Sequence, residues 1–138
     1  MAEAGVEAAR AAILAMPGAE GSRLPSAPAV TLCKVMGKMF AILEDGKTQG
    51  VILKCDPHLA EVLREQYASI GHRSHLDRRF WIFVNLGPGS DVPGAETARL
   101  IGHSYDLVAA GLTKKQKAEL ELLRAPPVTV SGPAPGRR

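Results

Sequence analysis

The chain has 138 residues, 46% of them hydrophobic and 22% charged, and a formal net charge of +3. These proportions are those of ordinary globular proteins and exclude wholesale disorder. The longest apolar runs, such as Phe80 to Val84, fall far short of the ~20 residues that cross a bilayer. Arg137 and Arg138 supply two of the three excess charges, so any basic surface has to come from local clustering.

Residues 3–16 place Val6, Ala9, Ile13 and Met16 three and four apart with Glu7 and Arg10 turned away, the spacing of an amphipathic helix, and Pro17-Gly18 ends it. The chain opens with Ala2, Glu3 and Ala4 and reaches Arg10 before any apolar block, which is the wrong order for a signal peptide's basic start and apolar middle, so a cytoplasmic protein is expected. The stretch from Ala19 to Pro28 is rich in Gly, Ser, Pro and Ala and reads as a loop. Val30 to Met36, Lys38 to Glu44 and Thr48 to Cys55 are three strand-length segments separated by Gly37 and by Asp45-Gly46, which predicts an antiparallel meander. The Asp-Gly pair is expected to supply the positive φ of a tight hairpin turn. Alternation lets Leu32, Phe40, Ile42 and Ile52 share faces and leaves Lys34, Lys38 and Lys54 near strand ends. Cys33 and Cys55 lie in these apolar strands, where a thiol behaves as a small hydrophobe, so both are expected to be reduced, unpaired and buried.

Asp56-Pro57 predicts a helix start with Asp as N-cap and Pro at the first position. Leu59, Val62, Leu63, Tyr67 and Ile70 follow as its buried stripe. A polar, basic connector spans Gly71 to Arg79, and Phe80 to Leu86, apolar and aromatic, reads as a central strand. After the break at Gly87-Pro88-Gly89, residues Ala98, Ile101, Tyr105, Val108 and Leu112 mark another helix, closed by Gly111. Thr113 and Gln116 fit a capping box for a last short helix that buries Leu120 and Leu123. The reading is one α+β domain, residues 1–124, in which an antiparallel sheet is flanked by N-terminal, middle and C-terminal helices. A Pro/Gly-rich tail, residues 125–138, is expected to be disordered.

The connector Gly71 to Arg79 packs Arg73, Arg78, Arg79, His72 and His75 against Asp77 alone, and Phe80 and Trp81 follow at once. Planar guanidiniums bind phosphate and an aromatic can stack on a base, so the composition suits a nucleic-acid surface. On the residues alone, a solvated loop leading into a core strand, with Trp81 packed inside, is the more ordinary reading. A metal site is not expected, because His72 and His75 have no second ligand pair at a suitable spacing. Gly87-Pro88-Gly89 lacks the spacing and the N–H groups of a phosphate loop, and no serine sits in a Gly-x-Ser-x-Gly frame. Glu61 and Glu65 lie one turn apart beside Arg64 as surface charges. The expectation is a protein that is not an enzyme and uses no cofactor.

Five segments in order, MPGAE, CKVMGKMFAIL, VILKCDPHLAEVLREQY, SHLDRRFWIFVNL and HSYDLV, resemble the MmcQ/YjbR family over residues 6 to 123. The matching positions are Gly37, Lys38, Phe40, Lys54, Pro57, Leu63, His75, Trp81, Ser104 and Tyr105. Arg23-Leu24-Pro25 departs from the family's phenylalanine-containing turn after MPGAE. The resemblance implies a fold like that of the bacterial frataxin CyaY and a DNA-binding role. Frataxin-like iron binding uses an acidic first helix, whereas here Glu3 and Glu7 stand against Arg10. The sites expected to contact DNA are Lys34, Lys38, Lys54, Arg73, His75, Arg78, Arg79 and Trp81. The alternative is a protein-interaction or small-ligand module of the same fold.

Overall fold

In the computed structural model, residues 2–73 and 75–124 are described. The first helix, α1 (Ala2–Leu14), buries Val6, Ala9 and Ile13, the three-and-four spacing read from the sequence. After Pro17 the segment expected as a loop is instead a strand. β1 (Ala19–Leu24) pairs antiparallel with β2 (Ala27–Val35), from Ala19 opposite Val35 to Leu24 opposite Ala27. Glu20, Gly21, Ser22 and Arg23 are all exposed, so the strand is held by its backbone ladder rather than by burial, and its side chains carry no strand pattern.

The meander continues through β3 (Lys38–Asp45) and β4 (Gln49–Lys54), as expected. The tight turn, however, is Met36-Gly37, with φ of 50° and 80°, between the paired Val35 and Lys38. Positive φ at both central residues matches the strand twist in a two-residue hairpin, and glycine takes it without strain. Asp45 and Gly46 have no positive φ. The β3–β4 link is the longer stretch between Asp45 and its partner Gln49, which frees the Asp45 carboxylate for Arg10 of α1 and Arg23 of β1.

Between β2 and β3 the register shifts: Cys33 faces Ala41 and Lys34 faces Met39, so Phe40 has no partner. A bulge of this kind breaks the alternation. Phe40 and Ala41 both enter the main core, and the Phe40 ring meets Tyr105 edge-on at 5.4 Å. Phe40 therefore does not share a face with Ile42.

Asp56 caps α2 (Pro57–Gln66) as its sequence predicts, its carboxylate accepting from the His58 and Leu59 amides at 3.1 Å. Ala60 and Leu63 are buried, but Val62 is 49% exposed. The helix ends at Gln66, so Tyr67 and Ile70 lie beyond the stripe, and Ile70 opens the short strand β5 (Ile70–Gly71). β6 (Trp81–Asn85) inserts between β4 and β5 in the order β1-β2-β3-β4-β6-β5, next to the edge rather than central. α3 (Gly94–Ala110) runs over the sheet, with Gly111 as C-cap. In α4 (Lys114–Arg124) the capping box forms reciprocally: Gln116 N donates to Thr113 Oγ1 and Thr113 N to Gln116 Oε1, both at 3.1 Å. Leu120 is buried, whereas Leu123 is 58% exposed. Residues 125–138, expected as a tail, lie outside the described residues.

All four helices send buried side chains into one cluster with Cys33, Leu43, Val51, Leu53, Ile82 and Val84 of the strands. This places the helices on one face of the sheet and around its end. Cys33 and Cys55 are free and buried, as expected, and burial pushes both thiols up to about 11. At pH 8 only about one thiol in 10³ is then ionised. Native protein is expected to resist alkylation by iodoacetamide over hours and to take up two labels per chain within minutes in denaturant, read by intact mass. Rapid double labelling of the folded form would contradict the burial.

Candidate functional site

Alternation along the strands sends a second set of side chains to the face away from the helices. Leu32, Ile42, Ile52 and Phe83 stand in one cross-strand row there, and Ile42 and Ile52 are buried outside the main core cluster. The Phe83 ring lies over Gly50: a Cβ at that position would collide with the ring and come within 2.8 Å of the Val84 carbonyl. Arg73 lies over this ring, its guanidinium carbon 4.2 Å from the centroid, and ion-pairs with Glu44 of β3. The connector thus begins by crossing the sheet, and the charge of Arg73 is matched within the fold.

One row further along, Lys34 faces Met39 and Lys54 faces Trp81. Lys34 lies between the core residues Cys33 and Val35, and Lys54 between Leu53 and Cys55, so both point to the face away from the helices. Their backbones are two strands apart, about 10 Å at ~4.8 Å per strand. Lys38 begins β3 beside the Met36-Gly37 turn and is exposed. Arg78 and His75 are exposed on the connector that leads to Trp81. No ion pair holds Lys34, Lys38, Lys54 or Arg78 among the described residues, although Glu20 of β1 is the register partner of Lys34. Arg79 pairs with Asp77 at 2.9 Å and stacks over Phe80, with 5.1 Å to the ring centroid. The hydrogen bond from Arg79 holds the Asp77 carboxyl below its usual range.

Three contributors escaped the sequence reading. Arg64 of α2 donates to the Arg78 carbonyl and, at 3.0 Å, to the Trp81 carbonyl, pinning the connector to the helix. Burial, and then the neighbouring Arg78 charge, lowers the Arg64 pKa. Phe83 and Glu44 together position Arg73. None of these links has a local signal, because each joins residues at least 10 positions apart through the sheet.

Among the described residues no group of three or more His, Cys, Asp and Glu is placed to hold a metal ion. A cavity of about 330 Å³ between α1 and α3 is lined by small side chains such as Gly5, Ala8, Ala12 and Ala98 and by no ionisable group. Two others, of about 210 and 250 Å³, likewise leave out His72, His75 and Asp77. No helix of the described chain is long and apolar enough to cross a membrane.

At the far end of the sheet, hydrogen bonding from Arg23, with Arg10 added, holds the Asp45 carboxyl below its usual 3.8. A carboxyl more acidic in the folded than in the unfolded chain contributes stability above the unfolded value, and that contribution is lost as the pH falls through 3.8 toward the lower folded value. Asp45→Asn is therefore expected to lower stability near neutrality and to flatten its fall below about pH 4. Thermal unfolding from pH 7 to pH 3 checks this; parallel curves for the two proteins would remove Asp45 from the account.

An antiparallel six-stranded sheet with its helices on one face, and a basic connector leading into β6, defines a small α+β domain. The YjbR family model matches residues 14–107. The chain belongs to the YjbR family. It is 32% identical to the Escherichia coli K12 protein YjbR over 108 residues, covering 78% of this chain and 88% of that protein. It is 31% identical to YbdF of Escherichia coli O157:H7 over 94 residues, covering 67% and 75% respectively. A crystal structure of a Deinococcus radiodurans protein with a DUF419 domain superposes with a TM-score of 0.70 at 28% identity, over 81% of this chain and 84% of that one. A Pseudomonas syringae protein shares the fold, with a TM-score of 0.56 at 20% identity over 65% and 86%.

Proposed function

We propose that this domain is a non-enzymatic, cytoplasmic DNA-binding module whose contact surface is the open sheet face at the Trp81 end. The observation that carries the reading is the pairing of Lys54 with Trp81 on that face, with Lys34 on the same face two strands away and Lys38 and Arg78 exposed at the same end. Lysines without internal acid partners hold phosphates in register, and a partly exposed indole offers a stacking surface. Arg73 and Arg79 already have acids, Glu44 and Asp77, so they frame the surface and add little net charge. His75 lies exposed on the same connector.

The chain has one tryptophan, Trp81, so its fluorescence reports directly from the surface. Titration with short duplex and single-stranded DNA is expected to quench it. The affinity should fall with salt at a log–log slope of roughly −3 to −4 for four phosphate contacts on duplex. Arg78→Ala with Arg79→Ala should weaken binding to all sequences alike and reduce the slope by about one, the share of Arg78. Absence of binding to either form of DNA at low salt rejects the reading in favour of an interaction module.

A further inference from the structure

We propose that the 210 Å³ cavity between α1 and the β1–β2 hairpin is a binding site for a small carboxylate with a compact apolar body. This is independent of the DNA reading and lies away from Trp81. The cavity is bounded by Arg10 and Leu14 of α1, Arg23 of β1, Thr31 and Cys33 of β2 and Leu43 of β3. Three observations on these residues point to a ligand.

First, Thr31 is only 8% exposed, and its hydroxyl has no hydrogen-bond partner. A buried hydroxyl left unpaired costs about 1–3 kcal/mol, so a group that binds it recovers that loss. Second, the lining residues include two arginines and no aspartate or glutamate. Asp45, which pairs with both arginines, is outside the lining. Each guanidinium offers five donors, and Asp45, Glu7 and the Pro28 carbonyl take only part of them, so donors remain for an anion. Third, the rest of the wall is aliphatic, and burial keeps the Cys33 thiol protonated with a pKa near 11, so it acts as one more apolar surface. A void of about 150 Å³ lined by such side chains accepts benzene; one of 210 Å³ takes a six-membered ring together with its carboxylate.

The probe is benzoate, titrated into the full chain and followed by amide chemical shifts. Saturable shifts are expected at Gly21, Thr31, Cys33 and Arg23, with a Kd of about 0.1–1 mM for a ligand of this size. Thr31→Val keeps the branched shape and deletes the hydroxyl, and should weaken benzoate about tenfold. Gly21→Ala tests the same site without touching a polar group. A Cβ there would stand 3.3 Å from the Thr31 methyl and 3.6 Å from the Leu14 side chain, narrowing the cavity and weakening benzoate in a chain that retains every donor. Benzyl alcohol, with the same ring and no charge, should bind at least fivefold more weakly. The proposal is overturned if benzoate gives no saturable shift up to 10 mM, which leaves the cavity to water. Equal affinity for benzyl alcohol, or unchanged binding in both variants, overturns it as well.

Discussion

Ser104→Ala is expected to destabilise the domain by about 2–4 kcal/mol, far beyond the usual effect of removing one hydroxyl. Ser104 is fully buried on α3. Its Oγ accepts from the Lys54 amide at 2.9 Å and donates to the Phe40 carbonyl at 2.6 Å. These are backbone groups that the β3–β4 ladder leaves over, since its pairing stops at Ala41 opposite Leu53 and includes neither Phe40 nor Lys54. One hydroxyl thus replaces the missing ladder bond between β3 and β4, and alanine strands a buried donor and a buried acceptor together. The measurement is the urea midpoint at unchanged slope, with the exposed Ser26→Ala as a control expected to stay within about 0.5 kcal/mol. A loss no larger than that of the control would mean that water takes over both groups.

Lys34→Glu combined with Lys54→Glu should weaken DNA binding by about 10²- to 10³-fold at 0.1 M salt. A unit charge pair at 4 Å is worth about 1 kcal/mol in water. Each reversal removes one attraction and adds one repulsion, so two sites cost about 4 kcal/mol before screening, and salt reduces this. The control is Lys47→Glu with Lys115→Glu. These lysines are also exposed, but one lies between β3 and β4 at the opposite end of the sheet and the other on α4. The overall charge changes equally in both double variants, so the control should lose less than about tenfold. Equal losses would show that binding follows net charge rather than the face.

The parts of the fold that were legible in the sequence are those whose side chains bear the burial. α1, α3 and the Asp56 cap follow from spacing and capping chemistry, and β2 to β4 from runs of apolar residues between turns. β1 was illegible because Glu20 to Arg23 are exposed and polar, and only the ladder to β2 makes them a strand. The bulge at Phe40 was equally hidden, since alternation assumes an unbroken register. For the candidate site, the basic connector and the strand-end lysines were visible as local clusters. Their pairing was not: Arg73 meets Glu44 across 29 positions, and that distance closes only once β3, β4, β6 and β5 are assembled in order. Sequence could name the cations but not which of them would find an acid inside the fold.

The two borders of the sheet bear on how the protein behaves when concentrated. An unpaired strand edge invites a second chain to add to it, and long, flat, apolar borders seed fibres. One border here is β1, whose outward side chains include Glu20 and Arg23, and the other is β5, only two residues long. The most apolar strands, β3, β4 and β6, are each paired on both sides. The polar stretch that hides β1 from a reader of the sequence therefore also gives neighbouring molecules little to polymerise on.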